Sequence, residues 1–161
     1  DQGIDQRRAQ VLMAFVVDAS VTLPWFLEDE RSAFTDAVFA SLHRGEFWTA
    51  AIWCLEFPNA LLAAEKRRRI DRATRLWVLD RAVLLGLRIE AQPPDLRAVS
   101  ALAERHGLST YDAAYLELAV RQGFGLITLD RQLADAAAAE GIPLQSPGRS
   151  GAAQRRRRYN I

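Results

Sequence analysis

Two apolar runs end in the same way. "FVVD" closes on Asp18 and "LITLD" closes on Asp130. Both are rich in β-branched residues, so both read as buried strands that finish on a carboxylate. Two further acids stand at or near expected helix starts, Glu56 in "LEFPNALL" and Asp112 in "STYDAAY". Carboxylates brought close together repel one another, and a divalent cation relieves that repulsion. An all-oxygen donor set suits Mg²⁺ or Mn²⁺. Water on such an ion becomes a nucleophile, so the chemistry indicated is hydrolysis or transfer at phosphorus. Zinc is disfavoured, because two histidines, His43 and His106, and one cysteine, Cys54, make a poor N/S ligand set. Each acid taken singly has an ordinary explanation. An aspartate after a strand is often a turn residue or a helix N-cap. A carboxylate in a first helical turn, as for Glu56 and Asp112, favours the helix dipole by about 0.3–1 kcal/mol. The set of four, not any one member, points to a metal site.

The elements that must position these acids follow from periodicity and punctuation. The spacing predicts a strand over 15–17 and a helix in "EDERSAFTDAVFASLHRGE", where Phe34, Val38 and Leu42 share a face and Gly45 caps the end. "FWTAAI" is strand-like. "CLEFPNALLAAEKRRRI" is a helix whose start is placed near Glu56, because Pro58 is tolerated only near a first turn. A third helix runs through "DRATRLWVLDRAVLLG" with Asp71 as N-cap, followed by a short strand in "LRIEA" broken by Pro93 and Pro94. "DLRAVSALAERHG" and "STYDAAYLELAVRQG" are helices ended by Gly107 and Gly123, the second capped by Ser109 or Thr110. "FGLITLD", "RQLADAAAAEG" and "IPLQ" complete the pattern as strand, helix and strand. Alternation of this kind predicts an α/β fold with a parallel sheet covered by helices on both faces. Sites in such sheets lie at the carboxyl ends of the strands, which puts Asp18 and Asp130 on one edge. Helices that follow strands begin at that edge, which suits Glu56. Asp112 follows a helix, so this rule does not place it.

The chain has 161 residues, half of them hydrophobic and a quarter charged, which suits one globular domain. No apolar run reaches the length of a membrane span. A lone cysteine and the lack of an apolar leader segment fit a reducing cytoplasm. Residues 1–12 are read as a leader, disordered or lying upstream of a start at Met13; residues 13–145 are read as the domain. Residues 146–161 are read as a disordered Arg-rich tail. Net charge is +1 overall, but the stretch from Pro147 carries +5 and the remainder −4. That is not the profile of a basic nucleic-acid binder.

Four stretches together resemble the PIN-domain ribonucleases of the VapC type, the toxins of bacterial toxin–antitoxin pairs. "FVVDASVTLPWFLEDE" is similar to the family's opening strand and first acid. "EFPNALLAAEKRRRID" is similar to its Glu-x-x-Asn-x-Leu helix. "LSTYDAAYLELAVRQG" and "GLITLDRQLADAAAAEGI" match its later acidic helix and closing strand, in order, from about Phe15 to Leu144. The resemblance implies a PIN-like three-layer α/β/α sandwich around a mostly parallel sheet of four to five strands. It implies that Asp18, Glu56, Asp112 and Asp130 bind Mg²⁺ or Mn²⁺ in an endoribonuclease cutting structured RNA, tRNA or rRNA, leaving a 5′-phosphate and a 3′-hydroxyl. A homodimer and a cognate antitoxin follow from the same likeness. Asn59, one turn after Glu56, matches the family's Asn and would hydrogen-bond a ligating carboxylate. Ser20 and Thr128 would do likewise beside Asp18 and Asp130, although small polar residues at strand ends are usually caps. Pro58 departs from the family pattern, and so does the basic tail.

Other readings stay open. A phosphoacceptor receiver domain needs a late lysine, and the sole lysine here is Lys66. A haloacid-type phosphatase wants Asp-x-Asp, where this chain has Asp18, Ala19 and Ser20. A noncatalytic RNA-binding relative, or a nuclease of the same fold with an RNA-processing or DNA-directed role, fits the same motifs. Arg67, Arg68, Arg69, Arg72 and Arg75 are either phosphate contacts or a solvated helix junction. Trp53, Trp77 and the stripe Leu76, Leu79 and Val83 are expected in the core. Trp25 is a candidate for a partner-facing position.

Overall fold

The computed structural model describes residues 13–147. Five strands form one sheet: β1 (Phe15–Val17), β2 (Phe47–Thr49), β3 (Arg88–Ile89), β4 (Gly125–Ile127) and β5 (Leu144–Gln145). Their order is β3-β2-β1-β4-β5 and every pairing is parallel. The first strand among the described residues is therefore the middle of the sheet. Its register sets Val16 beside Leu126 and Val17 beside Ile127.

Among the described residues, seven α-helices surround the sheet: α1 (Ala19–Thr22), α2 (Ala33–Ser41), α3 (Trp53–Lys66), α4 (Arg72–Val83), α5 (Leu96–His106), α6 (Thr110–Gln122) and α7 (Arg131–Ala139). Alternation along the central strands splits the core in two. Val16 and Leu126 face the larger cluster, which includes Phe57 and Leu61 of α3, Leu116 of α6 and Leu133 of α7. Val17, Phe47 and Ile127 face a smaller one completed by Val21 and by Val38 of α2. Helices thus cover both faces, as alternation predicted, and the sheet has five strands. No helix among the described residues is long and apolar enough to cross a membrane.

Caps follow the sequence closely. Asp71 accepts the Thr74 N–H, and Ser109 rather than Thr110 caps α6. Gly107 and Gly123 end their helices with φ of 63° and 67°, the left-handed conformation that glycine adopts without a Cβ penalty. Gly45 instead follows a 3-10 turn over Leu42–Arg44 in extended conformation, so it is no left-handed cap.

Three expectations are corrected. The helix expected to start near Glu56 begins at Trp53, so Pro58 lies inside α3 and removes one helical N–H. The strand expected over "FWTAAI" stops at Thr49, and the chain turns before α3. In α4 the buried residues are Val78 and Ala82. That face turns most of the expected stripe outward. Leu76, Trp77 and Val83 are 44%, 54% and 83% exposed, and only Leu79 packs on the core. Trp77 lies under the Arg81 guanidinium, 5.4 Å from its ring centroid. Trp53 is in the core as expected, 7% exposed. The readings of residues 1–12, and of the tail beyond Pro147, lie outside the described residues.

Candidate active site

Asp18 is the first residue after β1 and is 5% exposed. It sits where the central strand ends, with α1 starting behind it. Two hydroxyls hold its carboxylate. Ser20 Oγ donates to Oδ1 at 2.5 Å, and Thr128 Oγ1 donates to Oδ2 at 2.8 Å. Both hydroxyls in turn accept a backbone N–H from the segment after β4. Leu129 N donates to Ser20 Oγ at 2.9 Å, and Asp130 N donates to Thr128 Oγ1 at 3.0 Å. A hydroxyl that accepts a fixed N–H is left to turn its own proton elsewhere, and here both protons turn to Asp18. The carboxylate is oriented by hydrogen bonds that cross from one strand end to the next.

Asp130 caps α7. Its Oδ1 accepts the Leu133 N–H at 2.8 Å. Its backbone N–H bond to Thr128 ties it to the Asp18 network. The α/β rule left Asp112 unplaced, and the topology now places it. Only Gly123 and Phe124 separate α6 from β4, so α6 runs back along the sheet and its first turn lies at the carboxyl edge. A side-chain tie supports this. Gln132, in the first turn of α7, donates to the carbonyl of Gly107 at 2.5 Å, just before α6. Asp112 Oδ2 accepts from Ser109 Oγ at 2.7 Å, while the Asp112 N–H donates back to that hydroxyl at 3.0 Å. Glu56 lies in the first turn of α3, 7% exposed, and that helix starts after β2 at the same edge. Trp53 fixes the start: its indole N–H donates 2.9 Å to Thr22 Oγ1 in α1.

The topology therefore brings all four acids to one edge, and hydrogen bonds link the Asp18 and Asp130 segments directly. The donor set is carboxylate oxygen throughout, with Asp18 and Glu56 buried, and such chemistry fits a hard divalent cation. Among the described residues, however, no group of three or more His, Cys, Asp or Glu side chains is compact enough to hold a metal ion. Asp112 and Asp130 each spend an oxygen on their own helix start.

Ser20 and Thr128 both serve Asp18, although Thr128 stands two residues from Asp130 in sequence. Asn59 is exposed and its side chain makes no hydrogen bond among the described residues. Gln132 and Thr22 escaped sequence reasoning. Nothing in their own neighbourhoods marks them, since both act on partners distant in the chain. In the arginine run, Arg69 pairs with Asp29 and Glu30 at 2.7 and 2.8 Å, and Arg75 pairs with Glu65. Arg67, Arg68 and Arg72 are exposed. Trp25 is half-buried, donating to the Thr35 carbonyl at 2.9 Å and tilting against Phe39.

Comparison with known proteins bears on the fold and the family. Residues 15–139 match the family model of the PIN domain. Ribonuclease VapC3 of Pyrobaculum aerophilum is 34% identical over 129 residues, covering 76% of this chain and 94% of that protein. The crystal structure of PAE2754 from Pyrobaculum aerophilum superposes with a TM-score of 0.63 at 28% identity, covering 83% of this chain and 84% of the other. FitAcB from Neisseria gonorrhoeae shares the fold, with a TM-score of 0.59 at 14% identity over 81% of this chain and 95% of the other.

Proposed function

The chain belongs to the PIN-domain family, and from that premise we propose that it is a divalent-metal-dependent endoribonuclease, the toxin of a toxin–antitoxin pair, that cuts tRNA or rRNA. The observation that carries the reading is Asp18: a buried carboxylate at the end of the central strand, oriented by two hydroxyls, in a chain 34% identical to a ribonuclease. Asp18, Glu56, Asp112 and Asp130 would hold Mg²⁺ or Mn²⁺. When bound, such an ion makes a nucleophile of water and stabilises charge on the scissile phosphate.

The chain's own contribution is orientation. Ser20 and Thr128 each donate to one oxygen of the Asp18 carboxylate and so fix its plane. Asp130 uses Oδ1 to cap α7, and its Oδ2 takes no hydrogen bond among the described residues. The Ser109 hydroxyl steadies Asp112 in the same manner. No imidazole base belongs to the proposed machinery, since His106 is engaged with Glu140 at 2.7 Å and His43 accepts from Arg44 at 3.0 Å. A cytoplasmic setting, a cognate antitoxin and a homodimer accompany this reading.

The test is incubation of the purified chain with total tRNA and rRNA in Mg²⁺, Mn²⁺ or EDTA, beside Asp18→Asn and Asp112→Asn. Discrete fragments that disappear with EDTA and with both substitutions are expected. A second reading, a noncatalytic RNA-binding relative, is favoured by the acids not closing into a three-ligand group. Calorimetric titration of Mn²⁺ separates the two: the enzyme reading falls if no carboxylate-dependent binding is measured.

A further inference from the structure

Asp112 stands in the first turn of α6, and Asp130 is the N-cap of α7. Two carboxylates on separate helices can share an ion only if the helix starts keep a fixed separation. The motifs themselves do not set it. Ser109 holds Asp112 to its own helix, and Asp130 Oδ1 holds Leu133 of its own. A side chain two residues beyond Asp130 spans the gap between the segments. Gln132 Nε2 donates to the carbonyl of Gly107 at 2.5 Å and to that of His106 at 3.3 Å.

The turn between α5 and α6 is built to receive these bonds. Carbonyls at the end of a helix have no partner within it, and Gln132 takes the one on His106, the last residue of α5. A Cβ at Gly107 would stand 3.3 Å from Gln132 Nε2, so the missing side chain gives the amide room. Two residues after Gly107 comes Ser109, whose hydroxyl accepts the Asp112 N–H and donates to Asp112 Oδ2. A short path of hydrogen bonds and backbone thus runs from Asp130 through Gln132, Gly107 and Ser109 to Asp112. A second tie fixes the far end of α7. Glu140, just past that helix, bonds His106 Nε2 at 2.7 Å and Arg105 Nη1 at 2.8 Å. One tie would leave the end of α5 free to pivot. Ties at both ends of the nine-residue α7 remove that freedom.

We propose that Gln132 is a positioning residue that sets the separation of Asp112 and Asp130 by bracing the α5–α6 turn against the first turn of α7. The proposal deepens the metal-dependent ribonuclease reading and rests on it for its consequence, while its argument is the bridge from Gln132 to Gly107. Gln132 acts through the backbone of the turn, not on the ion. Groups that orient metal ligands in this way govern metal affinity. The side chain is exposed, so replacing it takes little packing from the core. The loss of its bonds is expected to show as a change of about two- to tenfold, the size of a modest hydrogen bond.

The test compares the full chain with Gln132→Met, which keeps the length of the side chain and removes its donor. In EDTA, amide hydrogen exchange at Ser109 and Asp112 is expected to speed up about two- to tenfold, with Leu126 and Ile127 of β4 unchanged. In calorimetry, Mn²⁺ affinity is expected to fall by a similar factor. Cleavage of tRNA then drops at limiting Mn²⁺ and recovers at saturating Mn²⁺, which a general loss of structure would not allow. Ser109→Ala, alone and combined with Gln132→Met, completes a cycle. Its effects on Mn²⁺ affinity are expected to be less than additive, because both changes act on Asp112. Unchanged exchange at the turn would overturn the proposal. Faster exchange with unchanged Mn²⁺ affinity would overturn it too, by leaving Gln132 as a brace on the helix end alone. Additive effects would show that Gln132 does not work through Asp112. Failure of the metal reading is seen separately: the parent chain itself binds no Mn²⁺ in the same titration.

Discussion

At the scale of single residues, the hydroxyl of Thr128 has two tasks. It donates to Asp18 and accepts the N–H of Asp130, so one oxygen links two strand ends. Thr128→Val keeps the shape and removes both bonds. If Asp18 holds the metal as proposed, cleavage is expected to fall about 10–100-fold. The unfolding free energy is expected to drop by about 1–3 kcal/mol, because a buried carboxylate loses a donor. Parallel RNA-cleavage assays and denaturant titrations check this, and unchanged cleavage would separate Thr128 from the chemistry. Asn59→Ala, on an exposed side chain, is expected to leave cleavage nearly unchanged. The hydroxyls of Ser20 and Thr128 were legible as neighbours of the strand-end acids, because the motifs set them close in sequence. That both serve Asp18 was not legible. It depends on the β1–β4 register, a contact between residues more than a hundred positions apart.

At the scale of elements, α3 carries an internal strain on its stability. Pro58 sits in its sixth position, where its ring denies a hydrogen bond to the carbonyl four residues back. Pro58→Ala is expected to raise unfolding free energy by about 1–3 kcal/mol, read as a higher denaturant midpoint with unchanged slope. Strand β4 makes the opposite case. A Cβ at Gly125 would overlap the Phe15 ring and stand 3.1 Å from the carbonyl of Pro143. Gly125→Ala forces β1 and β5 away from β4 and is expected to destabilise by about 1–3 kcal/mol, as over-packing does. Helix ends were well foreshadowed where chemistry is local, as with Asp71, Gly107 and Gly123. The α4 face was misjudged because neighbouring side chains decide it. Apolar spacing suggested the stripe Leu76, Leu79 and Val83, whereas Val78 and Ala82 are the residues that the fold buries.

At the scale of the whole molecule, two acid-centred networks pin helices together. Glu140, after α7, bonds His106 at the end of α5 at 2.7 Å and Arg105 at 2.8 Å. The His106 bond, and then the Arg105 bond, hold the Glu140 carboxyl below the usual glutamate value. Glu90 is held down too, first by the Gln92 backbone N–H and also by Gln122 and Arg121. A lowered carboxyl pKa stabilises the fold above the unfolded value, and that contribution is lost as pH falls through the folded one. Stability is therefore expected to decline below the ordinary glutamate range, and Glu140→Gln to flatten part of that decline. Thermal melts from about pH 6 down to 3.5 measure it. An unchanged acid limb in the variant would show that Glu140 is not the group responsible. The convergence of the acids on one edge was readable from alternation alone for three of them. Asp112 needed the direction of α6, which comes from the short link to β4 rather than from any motif.

The strand order has a consequence in time. The middle strand is made first, but its neighbour β4 comes from the last third of the described chain. On a ribosome, Asp18 and Glu56 are made long before Thr128 exists to orient the first of them, and Asp112 only shortly before it. Pairings that span so much chain form late, after the loop entropy has been overcome. A chain arrested at residue 124 would hold three of the four acids and no completed edge. Such a fragment is expected to leave RNA uncut, so the proposed activity would arise only once β4 and Thr128 have joined the sheet.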